Sequence, residues 1–269
     1  MKPIHLAICL IALTFFSTSS LFAQDDIANI PSKKILIDKD KNQTYFLIGN
    51  PGTSEDAAPQ PLLIIMPGGD GSADFHPFVK RIYKYAAPEN YLAVQPVAPI
   101  WNEKQAKQVV WPTKGYRTKG MKFTTETFID NIIQDVQSKY KIDTQRIFTL
   151  SWSSSGPAAY AIALREDTPV TGSFIAMSVF KSKKKQTRYA KNKTFYLYQG
   201  DKDRVTPYRY AVLAEKTLKK ADANITLKTY KGGHGWMHAN LWQNISDGIN
   251  FLDKQANKKR EESKEEETE

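Results

Sequence analysis

The chain has 269 residues, 41% of them hydrophobic, with one cysteine and a net charge of +10. This is enough apolar chain for one large core, and a single cysteine excludes a disulfide framework. Zinc-finger spacings, phosphate-binding glycine loops and nucleic-acid motifs are absent, so the positive charge is not read as a nucleic-acid footprint.

Lys2 gives the N-terminus a positive charge, and an apolar run follows from Leu6 to Phe16. A bilayer span needs about 20 apolar residues, so this run falls short of an anchor. With the small and polar segment from Ser17 to Ala23 it reads as a secretory signal peptide, residues 1–23, cut after Ala23. Leu21 at the minus-three position is larger than the usual alanine. Cys9 comes too early to follow a full apolar region, which argues against lipid attachment. The expectation is a secreted or periplasmic protein with no membrane span once the signal is removed.

Lys34 to Ile37 and Thr44 to Ile48 read as an opening hairpin pair, followed by a polar loop from Asn50 to Pro61. Leu62 to Met66 and Tyr91 to Val97 are continuous apolar runs, as strands buried on both faces should be. Trp101 to Met121 is the longest irregular piece. Ile129, Ile132, Ile133 and Val136 keep helical spacing, with Thr125 as the expected cap. Then come Arg146 to Leu150 (strand), Pro157 to Leu164 (helix), Ser173 to Ser178 (strand) and Thr194 to Tyr198 (strand). Between the last two, Lys181 to Lys193 holds seven basic residues and no acidic one, a solvated loop or a surface for anionic polymers or membranes. Pro207 to Lys220 reads as a helix, Ile225 to Tyr230 as a strand, and Leu241, Ile245, Ile249 and Leu252 as one face of a final helix. Residues 24–252 thus form one domain. Residues 253–269 are charged and lack apolar side chains to bury, which predicts a frayed helix end or a disordered tail.

Strands alternating with helices predict an α/β fold: a mostly parallel central sheet flanked by helices in three layers. Ligands of such sheets sit beyond the carboxyl ends of the strands. The segment from Arg146 to Gly156 runs a buried strand into a turn of four serines and a tryptophan and then into a helix. It resembles the Gly-x-Ser-x-Gly nucleophile elbow of the α/β hydrolases, with Ser151 and Ser155 standing at the glycine positions. The turn needs small residues two positions either side of the nucleophile. Ser154 as nucleophile would place Trp152 there, Ser151 would end the strand too soon, and Ser155 has Pro157 two residues on. Ser153 is the frame that remains.

A serine needs a base, and past the signal the chain has only His76, His234 and His238. His234 lies between glycines just after the strand Ile225 to Tyr230. His238 starts the last helix and reads as a surface or capping residue, and His76 reads as a pocket residue. Asp201 and Asp203 both qualify as the acid. The resemblance to the family's Gly-x-x-Asp-x-x-Val-Pro loop, carried by Gly200, Asp203, Val205 and Pro207, selects Asp203. Asp201 is then a turn residue. Leu62 to Ser72 resembles the family's His-Gly-x-Gly segment, with Pro67 in place of the histidine. That register implies an oxyanion hole from the N–H of Gly69, with Asp70 as its neighbour facing outward, and the N–H of Ser154.

The resemblance covers Leu62 to Leu252 and is strongest to small phospholipase/carboxylesterase-like and polyhydroxyalkanoate-depolymerase or feruloyl-esterase-like serine hydrolases. Trp152 and the Gly-His-Gly loop also resemble prolyl-oligopeptidase-type domains. It implies no large lid domain, no metal and no cofactor. It also implies a small-molecule or polymer-linked ester substrate, cleaved through an acyl-enzyme by Ser153, His234 and Asp203. The alternatives are a serine peptidase with the same triad and a non-catalytic binder on the same fold. Trp101, Trp111, Trp152 and His76 are the expected substrate contacts.

Overall fold

A computed structural model describes residues 26–181, 184–236 and 240–266. The signal segment and His238 lie outside the described residues. Eight strands form one sheet: β1 (Ser32–Leu36), β2 (Thr44–Ile48), β3 (Gln60–Met66), β4 (Leu92–Pro96), β5 (Ile142–Trp152), β6 (Gly172–Ala176), β7 (Thr194–Gly200) and β8 (Asn224–Tyr230). Their order is β1-β2-β4-β3-β5-β6-β7-β8. β1 and β2 pair antiparallel, as does β2 with β4, and every other pairing is parallel.

The apolar runs explain the layering. In β3, Leu62, Ile64 and Met66 pack on one face, and Leu63 and Ile65 on the other, all fully buried. A short helix, α2 (Glu103–Gln108), lies in the loop after β4, and the first face is covered by α3 (Thr125–Gln137) through Phe128, Ile129, Ile132, Ile133 and Val136. α4 (Gly156–Ala163) and α5 (Arg209–Lys219) continue that layer over β6 and β7 through Tyr160, Ala214 and Leu218. The opposite face carries α1 (His76–Ala86) and α6 (Leu241–Glu266) through Val79, Ile82, Ile245, Ile249 and Leu252. No helix among the described residues is long and apolar enough to cross a membrane.

Two expectations shift. The cap of α3 is Thr124, whose hydroxyl accepts from the Thr127 N–H at 3.2 Å. Thr125 is instead buried and donates to the Pro112 carbonyl at 2.9 Å. α5 starts at Arg209, two residues after Pro207. Of the helix end and the disordered tail expected for the C-terminal segment, the structure has the helix, as far as Glu266. Polar contacts replace the missing apolar ones: Arg260 bonds Asp143 at 2.5 Å and Gln145 at 2.6 Å, and Gln255 accepts from Asn224 at 2.6 Å.

Candidate active site

Four strand ends build the site. β5 delivers Ser153 on a turn whose backbone sits at φ 55°. For a non-glycine residue this left-handed conformation costs about 1–3 kcal/mol and needs surrounding structure to hold it. The serines of the turn do that holding. Ser155, fully buried, accepts from the Trp152 N–H at 3.0 Å and donates to the Met66 carbonyl at 2.8 Å, pinning the elbow to the end of β3. Ser178, after β6, donates to the Ser153 carbonyl at 2.7 Å. Gly156 makes room for it: a Cβ there would stand 2.1 Å from the Ser178 hydroxyl.

Asp203 follows β7 with its side chain wholly buried. One carboxylate oxygen accepts the N–H groups of Val205 and Thr206, both at 2.8 Å. The other accepts the Thr206 hydroxyl at 2.7 Å and the Gln199 amide at 2.8 Å. Burial alone would raise its pKa. The Thr206 hydroxyl and N–H, together with His234, outweigh burial and hold it below its ordinary value. The group is a fixed carboxylate.

His234 follows β8, and its side chain is 24% exposed. Nδ1 lies 2.9 Å from Asp203 Oδ2, and Nε2 lies 3.0 Å from Ser153 Oγ. With the proton on Nδ1 donated to the carboxylate, the Nε2 lone pair faces the serine hydroxyl. Gly200 lets the two loops touch, since a Cβ there would stand 2.5 Å from the Gly232 carbonyl oxygen. Asp201, the other acid considered, fastens the histidine loop by accepting the Gly232 N–H at 3.1 Å and pairing with Lys231 at 2.8 Å.

The loop after β3 completes the arrangement. Gly68 lies directly on Trp152, where a Cβ would meet the indole at 2.5 Å. Gly69 takes φ 58°, and its carbonyl accepts the Ser154 hydroxyl at 2.8 Å, so the Gly69 and Ser154 backbones are neighbours beside Ser153. Among the described residues the Gly69 N–H has no backbone acceptor. Asp70 points into solvent, where its carboxylate accepts the Ser72 N–H at 3.0 Å.

The expected substrate contacts fare differently. Trp111 is 2% exposed and donates from Nε1 to the Pro67 carbonyl at 3.0 Å. It braces the glycine loop from below and has no free face for a ligand. His76 is engaged as well. Its ring nitrogens meet Gln95 at 2.7 Å and Ser32 at 3.0 Å, and the ring stacks on Phe46. Burial, with a smaller push from Lys80 and against the Gln95 bond, keeps its pKa low. Trp101 packs edge-on against Phe123 inside its own loop. Trp152 is 6% exposed and sits beside Ser153 in a cluster with Phe75, Phe78 and Trp236.

Sequence reasoning passed over Gln199, Thr206 and Ser178, as well as Phe75, Phe78 and Trp236. The turn at Asp203 carried a readable signal, because an aspartate in a turn accepts the N–H two residues on, here that of Val205. Gln199 and Ser178 had none, because their partners come from the folding of other segments. A serine hydroxyl, an imidazole and a carboxylate in one line, beside adjacent backbone N–H groups, can move a proton from oxygen to nitrogen and stabilise a developing oxyanion.

No known family profile matches the sequence, and no curated protein matches it. Solved structures do. A thermostable esterase superposes with a TM-score of 0.63 at 14% identity over 87% of this chain and 64% of that chain, so the chain spans under two thirds of that protein. A ferulic acid esterase gives 0.61 at 14% identity over 84% and 98% of the two chains. An S-formylglutathione hydrolase from Staphylococcus aureus gives 0.62 at 12% identity over 83% and 98%. The strand order, the site at the carboxyl ends of the parallel strands and these superpositions agree that the chain has the α/β-hydrolase fold.

Proposed function

We propose that the protein is a serine hydrolase that cleaves carboxylic esters. The observation that carries this reading is the unbroken line from Asp203 through His234 to Ser153, with links of 2.9 and 3.0 Å. Ser153 Oγ attacks the ester carbonyl as its proton passes to His234 Nε2. The carbonyl oxygen becomes an oxyanion held by the N–H groups of Gly69 and Ser154. Asp203 keeps the imidazole oriented and stabilises its charged form without taking the proton. His234 then protonates the departing alkoxide, leaving an acyl group on Ser153. A water molecule, losing its proton to the same nitrogen, releases the acid. The esterases among the superposed structures add support for an ester substrate, either a small molecule or polymer-linked.

The test is a fluorophosphonate probe with p-nitrophenyl acyl esters. Folded protein labels on Ser153 and turns over the esters, and Ser153→Ala loses both, with turnover falling by about 10⁴-fold or more. A folded protein that takes no label and hydrolyses no ester refutes the reading. An aminoacyl-amide panel run alongside separates an esterase from a peptidase.

Export is part of the proposal. It rests on the positive start, the apolar run from Leu6 to Phe16 and the small residues to Ala23. The packed body begins close behind, with Asp26 paired to Arg81 at 2.7 Å. Mass spectrometry of the exported protein should give an N-terminus at Gln24.

A further inference from the structure

The end of the sheet opposite the catalytic loops holds a cavity of about 280 Å³ between the starts of β5, β6 and β7 and the last turns of α6. Its apolar lining is Phe148, Leu252 and Ala256, and its polar lining includes Lys193, Lys259 and Arg260. Arg260 is satisfied by Asp143 and Gln145. The two lysines are not balanced in this way. Lys259 reaches only neutral oxygens, the Asn192 carbonyl and the Thr194 hydroxyl. Among the described residues the side-chain ammonium of Lys193 has no hydrogen-bonded or ion-paired partner, and no carboxylate lies within ion-pair distance of Lys259.

Half-buried lysines lining one cavity with no carboxylate in ion-pair contact are costly. Burial, then the neighbouring Arg165, lowers the pKa of Lys193; burial, then Lys193 itself, lowers that of Lys259 against a weaker opposing pull from Glu262. An anion between them would remove the repulsion. The apolar lining asks for more than a bare ion. The volume lies just below the usual small-molecule range of about 300–1,000 Å³, which limits the guest to one ring or a short chain.

We propose that this cavity is a second binding site, separate from the catalytic cleft, for a small amphiphilic anion. The ligand's carboxylate or phosphate head meets Lys193 and Lys259, and its single ring or short alkyl body lies on Phe148, Leu252 and Ala256. The C-terminal segment of α6, which has no apolar stripe of its own past Leu252, supplies one wall and one of the cations.

Isothermal titration of the full chain tests this with four probes: benzoate, phenyl phosphate, benzyl alcohol and inorganic phosphate. Benzoate or phenyl phosphate should bind saturably, and which of them binds tighter identifies the head group. Benzyl alcohol and inorganic phosphate should bind at least tenfold more weakly. Lys193→Met should weaken the anion at least tenfold, whereas Lys228→Met, the same charge loss on the exposed face of β8, should leave it within twofold. Ala256→Phe, which fills the cavity without touching a charge, should abolish binding. Failure of both aromatic anions to bind would overturn the proposal. So would binding unaffected by Lys193→Met and Ala256→Phe, or inorganic phosphate matching phenyl phosphate.

Discussion

At the scale of single residues, the elbow is built on hydroxyls where the family pattern has hydrogen atoms. Glycine at position 155 would satisfy the turn's sterics and lose both the bond to the Met66 carbonyl at the end of β3 and the bond from the Trp152 N–H. Ser155→Ala should therefore destabilise the fold by about 1–3 kcal/mol, the usual cost of stranding a buried donor. Urea denaturation measures it, and a change below about 0.5 kcal/mol would mean the two bonds are replaceable. Asp203 makes a pH argument. Its folded pKa lies below the ordinary 3.8, so its contribution to stability is complete above 3.8 and is lost as pH falls through the lower, folded value. Asp203→Asn has no such loss at that position. The stability gap between wild type and Asp203→Asn should be constant from pH 7 to 5 and should narrow in acid below 3.8. A gap that stays flat into acid would show that the carboxylate is not held by its donors. The aromatic residues were less legible than the triad. Trp111 and His76 have the right chemistry for a pocket, but sequence does not say which way a ring faces. A core carbonyl claims one, and Gln95 and Ser32 claim the other.

At the scale of elements, the central strands were readable because double-sided burial leaves continuous apolar runs, whereas the edge strands β1 and β8 are exposed or half-buried and show no such run. α1 was the main omission. It carries Val79, Ile82 and Ala86 on one face, but it begins at His76-Pro77 with no side-chain cap and is crowded by surface tyrosines. The extent of α6 was not legible for the opposite reason. Its last three turns have no apolar stripe, and only the folded sheet provides Asp143, Gln145 and Asn224 as partners. Arg260→Ala should reveal this dependence. Arg146 still pairs with Asp143, so global stability should fall by about 1 kcal/mol or less. Amide exchange over residues 257–266 should rise at least tenfold, while exchange around Ile245 and Ile249 stays unchanged. Uniform protection in the variant would show that the helix end stands on its own.

At the scale of the whole molecule, the candidate site has no existence in any one segment. β3 brings the glycine loop, β5 the serine, β7 the carboxylate and β8 the histidine, and the parallel register sets all four at one end. Motif spacing made the residues legible. Their mutual distances were not, because these depend on loops that must approach to contact. Gly200 is where that dependence is sharpest. It ends β7 inside the hydrogen-bonded ladder to Tyr230, and a Cβ there would press on the carbonyl oxygens of Gly232 and Gly233 at 2.5 and 2.7 Å. Both contacts are backbone, so no side-chain rotation relieves them, and the histidine loop must move as a unit. A shift of about 1 Å in a catalytic group costs on the order of 10²-fold in rate. Gly200→Ala should therefore cut ester turnover and fluorophosphonate labelling about 10²-fold. The strand core, whose side chains are untouched, should keep its thermal transition within a few degrees. If activity survives intact, His234 reaches Ser153 without the close approach of its loop to β7. If the fold collapses instead, the two loops belong to the core and not only to the site.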